Sequence, residues 1–201
     1  MKKIFTTLLF LLFFANLQVF AQEKVLESSV TFNWLNTSKS QIESDINEVR
    51  DLLFNEGTVL KYDKAAFKEE NIKEWKNKNY LEDFDAIRKG KKEDKDRYLC
   101  GFYWKNLMVA YGIQYKSKME VVYYYDAMGN LRWLDKVSSA FPKYPYWSYQ
   151  YDRTGKMVAA FYNLSGDDQY IFTPDKKFKG RWYKEYMYDE NAKIRMKRSY
   201  W

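Results

Sequence analysis

The C-terminal part of the chain repeats one short pattern four times, in residues 125–131, 151–157, 172–178 and 188–194. Each copy has an aromatic residue, usually an Asp, two variable residues, a small or polar residue, then Lys or Asn and an apolar residue. Asp favours the first position of a type I turn, because its side chain accepts a hydrogen bond from the backbone two residues on. Gly favours the end of that turn, where φ is positive. The pattern therefore predicts turns that each join two β-strands.

The copies differ in how completely they match this turn chemistry. The predicted turn-forming residues are Asp126, Gly129, Asp152, Gly155 and Asp189. The third copy departs most, because Thr173 replaces the Asp and Lys176 replaces the Gly. In the fourth copy Ala192 replaces the Gly, and Asn191 is the candidate for the left-handed conformation.

Between the turns, the sequence alternates with the period of a β-strand from residue 98 onward. The predicted strands cover 107–115, 119–125, 131–137, 144–151, 157–163, 168–172, 178–184, 185–189 and 193–200. Short connections between consecutive strands predict an antiparallel meander. Aromatic pairs such as Tyr123 with Tyr125 lie two residues apart and therefore on one strand face. Across neighbouring strands they predict a ladder of aromatic rings, and we expect this ladder to be core.

The segment from Tyr149 to Met157, with Tyr151 and Asp152 followed by Gly155, resembles the YD repeat of RHS-type bacterial surface and toxin-shell proteins. It is also similar to the hairpin repeats of MORN-like and YwqK-like proteins. The resemblance covers residues 123–197 and leaves residues 22–96 outside it. It implies an extended or curled β-sheet that serves as a shell or binding surface, and it implies no catalytic residues. The four units are too few to enclose a cargo, so the shell role is not expected here.

The first 21 residues have the pattern of a bacterial secretion signal. Lys2 and Lys3 precede an apolar stretch, and Val19-Phe20-Ala21 offers a cleavage site before Gln22. A lipoprotein would need Cys at position 22, so lipid anchoring is not expected. No later segment approaches the about 20 apolar residues of a membrane span. We expect a soluble mature protein that is periplasmic, associated with the cell surface or secreted.

The mature chain divides into two compositions near a mixed-charge run at 91–96. Residues 22–96 carry 14 basic and 17 acidic side chains, whereas residues 97–201 carry 18 and 10, with 17 of the 19 Tyr. Residues 40–55 start with a capping box and keep one apolar face, which predicts a helix. A second stripe of Leu81, Phe84 and Ile87 ends at Gly90.

These compositions predict an α+β protein in three parts: a signal peptide in residues 1–21, a helical region in 22–96 and an antiparallel sheet in 97–201. In this interpretation, a small N-terminal helical layer packs on or beside a C-terminal meander of YD-like hairpins.

The chain lacks the residues that several common catalytic mechanisms require. The chain has no His, which removes the usual Ser-His-Asp and Cys-His arrangements and the common His-containing zinc sites. No phosphate-binding glycine motif is present, and we expect no cofactor and no metal. Acids cluster at Asp167-Asp168 and at Glu82, Asp83 and Asp85, but nothing in their spacing specifies a paired catalytic site. The prediction is a protein that is not an enzyme.

A binding surface is predicted in the densest aromatic segment, residues 141–149, whose two prolines indicate an edge strand or exposed loop. Its candidate ligand or partner residues are Lys143, Tyr144, Tyr146, Trp147 and Tyr149. Exposed Tyr and Trp beside Lys could stack on sugar rings or anchor a protein. The basic half could also meet anionic glycans or phospholipid surfaces. Nucleic acid is not expected for an exported protein.

Cys100 is the only cysteine, so no intramolecular disulfide can form. A buried small hydrophobe and a thiol that pairs between chains are both consistent with its sequence context.

The sequence thus predicts an exported, non-catalytic binding protein of the bacterial envelope or exterior, with a protein or glycan as ligand. An immunity or inhibitor protein that neutralises a secreted toxin is the first alternative. A glycan-active hydrolase that uses an acid pair is the second.

Overall fold

The computed structural model describes residue 68, residues 75–137 and residues 141–199. Within this part, one helix precedes ten strands: α1 (Tyr80–Arg88), β1 (Arg97–Trp104), β2 (Leu107–Tyr115), β3 (Val121–Asp126), β4 (Leu131–Val137), β5 (Tyr146–Asp152), β6 (Met157–Ser165), β7 (Asp168–Phe172), β8 (Phe178–Tyr183), β9 (Tyr186–Asp189) and β10 (Ile194–Arg198). The predicted strands 107–115, 131–137 and 168–172 coincide with β2, β4 and β7.

The ten strands form a closed antiparallel barrel in which each strand pairs with the next and β10 returns to β1. The closing seam is short, with Phe102 opposite Arg198 and Tyr103 opposite Lys197. Ser199 extends it, because its N–H donates to the carbonyl of Gly101 (2.8 Å) and its Oγ accepts from the N–H of Gly101 (2.6 Å). These contacts join the two ends of the meander and leave no free sheet edge at the seam.

The predicted antiparallel strands are confirmed, but the predicted α+β class with a helical layer is wrong. The sheet closes on itself, so each strand finds a partner on both sides and one sheet face is enclosed without a covering layer of helices. The only helix in the described part of the chain is α1. The predicted signal peptide and the predicted helix at 40–55 lie outside the described residues.

Helix α1 contains the predicted stripe and is held to the barrel by a buried polar network. The side chain of Asn77, just before the helix, donates to Oδ2 of Asp83 (2.8 Å) and to the hydroxyl of Tyr111 in β2 (2.9 Å). Arg97 at the start of β1 donates to both carboxylate oxygens of Asp83, at 2.9 and 3.0 Å. Ile87 lies fully buried against Gly101. This network positions α1 on the outside of β1 and β2.

The four repeated patterns form turns with one shared geometry. In the first, the N–H of Gly129 donates to the carbonyl of Asp126, and Oδ1 of Asp126 accepts from the N–H groups of Met128 and Asn130, all at 2.9 Å. Asp152 and Asp189 make the equivalent three bonds in the second and fourth turns.

The two divergent copies adopt the same turn. Oγ1 of Thr173 replaces the carboxylate and accepts from the N–H of Lys177 at 3.1 Å. The left-handed position is filled by Lys176 with φ 66° and by Ala192 with φ 61°, where the complete copies have Gly. The expectation that Asn191 takes this conformation is therefore wrong. The hydrogen bonds of the turn impose the conformation on whichever residue stands at that position.

We expect Ala192→Gly to raise the free energy of unfolding by about 1 kcal/mol, because a left-handed conformation costs an L-residue about that much. Ala127→Gly is the matched control. Ala127 is exposed in the first turn and has no positive φ, so its replacement should be neutral or slightly destabilising. Urea unfolding followed by tryptophan fluorescence measures both. A loss of stability in Ala192→Gly would contradict the assigned turn.

The aromatic ladder lies on the outer face of the barrel. Tyr111 of β2 stacks on Tyr125 of β3 with ring centroids 5.4 Å apart, and Phe84 of α1 packs edge-on against Tyr111. Between β5 and β6, the ring centroids of Trp147 and Tyr162 are 4.6 Å apart. The four rings of the ladder itself are buried, as are the other aromatic residues directly before the turns: Tyr151, Phe172 and Tyr188. The ladder is therefore a packed structural layer.

Candidate functional site

The inner face of the barrel is identified by rings that meet across it. Phe102 of β1 and Trp182 of β8 have centroids 5.9 Å apart, although two strands separate β1 from β8 in the barrel wall. Three strand spacings amount to about 14 Å along the wall. Side chains at that separation can touch only through the interior. Phe102 also contacts Tyr124 of β3 at 5.7 Å, so Tyr124 points inward as well.

Strand register then places Asp135 and Gln150 side by side in one row on this inner face. Val122, two residues before Tyr124, is opposite Asp135, which is opposite Gln150, which is opposite Ala159. Residues directly opposite each other in an antiparallel pair project to the same side of the sheet. The row therefore crosses four neighbouring strands, β3 to β6, with a carboxyl group near its middle.

Asp135 is the most unusual group in the interior. It is 4% exposed, and its Oδ2 accepts a hydrogen bond from the hydroxyl of Tyr124 at 2.8 Å. Its Oδ1 is buried and accepts no hydrogen bond from the described residues. Burial raises the pKa of Asp135 to about 7, although the Tyr124 hydroxyl and the nearby Gln150 amide act in the opposite direction. The buried carboxyl therefore interacts with two side chains of its own barrel, Tyr124 and Gln150, and its Oδ1 is incompletely hydrogen-bonded.

Part of the inner face is accessible to solvent. Inward-facing Phe102, Tyr124, Gln150, Ala159 and Met187 keep partial solvent access, whereas other inward-facing side chains, among them Asp135, are buried. Eight strands make a barrel whose side chains just fill it, and ten strands make a wider one. The partial access of enclosed side chains therefore indicates internal space lined by aromatic, methionine and amide groups.

A cation lies on the same inner face. The guanidinium of Arg198, 8% exposed, stacks over the Trp182 ring at 4.9 Å, and its Nε donates to the carbonyl of Lys184. Burial raises the pKa of Tyr146, the charges of Tyr144 and Asp135 raise it further, and the charge of Arg198 lowers it. Tyr146 is therefore within electrostatic range of both Asp135 and Arg198.

Cys100 also faces inward but is fully buried. Burial raises the pKa of its thiol to about 12, although the charge of Arg198 and the hydrogen bond to Ser199 oppose this. Because the thiolate is the reactive form, we expect no labelling by iodoacetamide at pH 8 in the native protein and full labelling in urea. Ser117→Cys, exposed between β2 and β3, is the positive control. Rapid native labelling of Cys100 would contradict this burial.

The structure separates the predicted binding residues of segment 141–149. Tyr144 is 49% exposed and Lys143 is exposed, whereas Trp147 and Tyr149 are only 6% exposed or less and belong to the outer ladder. Tyr146 lies at the barrel end, where its ring contacts Phe141 and Tyr144 at 5.1 and 5.2 Å. The segment therefore displays two of its five candidates and directs a third towards the interior.

The predicted acid clusters have structural partners. Asp168 forms a bidentate pair with Arg181, with both N–O distances 2.6 Å, and Asp83 is bound by Arg97. Asp85 pairs with Arg88 and Lys89 on the surface of α1. Within the described residues, no group of three or more metal-ligating side chains comes together. The hydrolase and inhibitor alternatives stay predictions.

Sequence reasoning missed Asp135, Gln150 and Tyr124. An acid between Leu134 and Lys136 in a strand was a visible signal. Whether this acid is buried or exposed depends on which sheet face is enclosed, and the alternation of the sequence does not specify that face.

No family model matches this chain, and no curated protein or solved structure is significantly similar to it. The resemblance to YD, MORN-like and YwqK-like repeats therefore stays a prediction. No helix in residues 75–137 or 141–199 has the length and apolar character needed to cross a membrane.

Proposed function

We propose that this protein is an exported, non-catalytic binding protein that holds a small molecule inside its barrel. The observation that carries the proposal is the buried carboxyl of Asp135, which faces the interior beside Gln150 and whose Oδ1 is incompletely hydrogen-bonded. A buried acceptor with incomplete hydrogen bonding costs free energy, and a bound donor would lower that cost. Sequence supports the exported and non-catalytic parts through the N-terminal signal pattern and the absence of His.

The wall chemistry suggests the class of ligand. The carboxyl group of Asp135 can accept a hydrogen bond from an amine or a hydroxyl group of a ligand. Phe102, Tyr124 and Trp182 offer ring faces to an apolar or ring-shaped body. A compact molecule with a donor at one end and a hydrophobic or sugar-ring face meets both requirements. A glycan ligand, as expected from the aromatic content, fits if it is no larger than a few rings.

Calorimetric titration at pH 8, where Asp135 is charged, tests this with three probes: phenethylamine, methyl β-glucopyranoside and 3-phenylpropionate. The first two separate an amine donor from hydroxyl donors, and the third is an anion that Asp135 should repel. We expect a donor probe to bind and Asp135→Asn to weaken that binding about 10-fold or more, as for a hydrogen bond to a charged group. Asp167→Asn, which removes an exposed acid, should leave binding unchanged.

Two results would count against the proposal. Equal affinity of the wild type and Asp135→Asn for the donor probes would remove Asp135 from the site. Binding of 3-phenylpropionate in preference to both donor probes would assign the interior to anions and to Arg198 instead.

A further inference from the structure

One end of the barrel collects five of its connections. In an up-and-down barrel, every turn that follows an odd-numbered strand lies at the same end. Here these turns are residues 105–106, 127–130, 153–156, 173–177 and 190–193, and we call them the basic end. The connections 116–120, 141–145, 166–167 and 184–185 lie at the opposite end.

The two ends differ in charge. The basic end has six cationic side chains in its connections, Lys105, Arg153, Lys156, Lys176, Lys177 and Lys193, against two acids, Asp175 and Glu190. The turn-forming Asp126, Asp152 and Asp189 also lie here, and Arg132 and Arg195 pair with the first and the last of them. The described connections of the opposite end have four cations, Lys116, Lys118, Lys143 and Lys184, against three acids, Glu120, Asp167 and Glu185. With these pairs included, the basic end has eight cations and five acids, an excess of three positive charges, whereas the described connections of the opposite end have an excess of one.

The same end also exposes large apolar side chains. Leu107 is 64% exposed, Met128 61%, Trp104 39% and Ile194 36%. They belong to the neighbouring strands β10, β1 and β2 and to the next turn, so they form an arc beside the cationic tips. Four of the seven exposed large apolar residues in the described part of the chain lie here.

We propose that the basic end docks on the surface of an anionic lipid bilayer. Cationic side chains attract a negatively charged headgroup layer, and apolar tips gain free energy by entering the boundary between headgroups and acyl chains. A soluble polyanion would use the cations but would offer nothing to Leu107 and Met128. The combination of both kinds of side chain on one end therefore favours a lipid surface. This proposal does not depend on what the barrel interior binds.

Co-sedimentation with vesicles tests the proposal, with phosphatidylcholine alone compared with a phosphatidylcholine–phosphatidylglycerol mixture. We expect binding to the mixture that weakens as salt is added. The double variant Lys156→Glu with Lys177→Glu should lose at least about 10-fold in vesicle affinity. Its matched control is Lys95→Glu with Lys118→Glu, which changes the net charge equally through exposed residues at the opposite end. The control should bind like the wild type.

Leu107→Ser separates a lipid surface from a polyanion, because it removes an apolar tip and keeps every charge. We expect it to weaken vesicle binding. No binding to the anionic vesicles, or equal losses in the two charge variants, would overturn the proposal. Two results together would also overturn it, in favour of a polyanion: dextran sulfate fully displaces the protein from the vesicles, and Leu107→Ser leaves vesicle binding unchanged. Circular dichroism checks that each variant keeps the barrel.

Discussion

Replacing Arg181 with alanine is expected to lower the free energy of unfolding by about 3–5 kcal/mol, because it leaves a buried carboxylate without its cation. Arg181 and Asp168 are each 8% exposed and are joined by two N–H···O bonds of 2.6 Å. The guanidinium also stacks on Tyr170 and Tyr183, at 5.0 and 4.9 Å from their ring centroids. The variant therefore loses an ion pair and two ring contacts.

Urea unfolding of Arg181→Ala and of three further variants measures this effect and its cause. Arg181→Lys should lose part of the same stability, since a single ammonium cannot reproduce the bidentate geometry. Arg181→Met combined with Asp168→Leu should recover much of the loss, because no buried charge remains. Lys177→Ala breaks the exposed pair with Asp175 and should cause no measurable change. A loss below about 1 kcal/mol in Arg181→Ala would show that the pair is not buried in solution.

The second large effect is a pH dependence of the free energy of unfolding, which arises from Asp135. Its pKa is about 7 in the folded protein and 3.8 is the ordinary value, so between these limits the folded state holds a proton that the unfolded state releases. The contribution of Asp135 to stability is therefore full below pH 3.8 and declines as the pH rises towards 7. The decline is about 4 kcal/mol at most, at about 1.4 kcal/mol per pH unit.

Asp135→Asn removes this titration. We expect the variant and the wild type to have similar free energies of unfolding near pH 4. Between pH 4 and pH 7 the wild type should become progressively less stable than the variant, and above pH 7 the difference should stay constant. Asp126→Asn is a control of opposite sign. Burial alone would raise the pKa of Asp126, but hydrogen bonds with Asn130 and the charge of Arg132 lower it, so this variant should lose stability at neutral pH. Parallel pH curves for the wild type and Asp135→Asn would contradict the buried carboxyl.

The predicted β-strands were accurate because their signals are local. Alternation runs through residues 131–137 and 168–172, and a turn residue stands at one end of each. The turns were predicted from Asp and Gly, and they persisted even where Lys176 and Ala192 replaced Gly, because the backbone hydrogen bonds are the same.

The closure of the barrel could not be predicted in this way. It depends on two residue pairs, Phe102 with Arg198 and Tyr103 with Lys197, that lie more than 90 residues apart in sequence. Whether a meander stays open or closes is decided by its accumulated twist and stagger, which no short pattern encodes. The difference in composition between the two halves therefore predicts two layers, although the sheet closes on itself.

Closure also changes the meaning of the inner face. In an open sheet with its aromatic face buried, Asp135 and Gln150 would point to solvent, as acids and amides in strands usually do. In the closed barrel, the same alternation sends them into the interior, where Asp135 becomes a buried acceptor. The candidate site therefore follows from topology, whereas the prediction of a binding surface at segment 141–149 rests on composition.

The central claim is that the barrel interior is open to small molecules, and thiol labelling at residue 159 tests it most directly. Ala159 faces inward and is partly exposed, whereas its neighbour Ala160 faces outward and is fully buried. Ala159→Cys and Ala160→Cys differ only in which side of the wall carries the thiol. We expect 2-aminoethyl methanethiosulfonate at pH 8 to modify Ala159→Cys at least about 10-fold faster, since only an accessible thiolate reacts.

The charge of the reagent then reports on Asp135. The 2-sulfonatoethyl reagent is an anion, and the preference of Ala159→Cys for the aminoethyl cation should shrink when Asp135→Asn is added. An interior that binds ligands predicts fast, cation-selective labelling at residue 159 and slow labelling at residue 160. Equally slow labelling at both residues would mean a filled interior and would contradict the account.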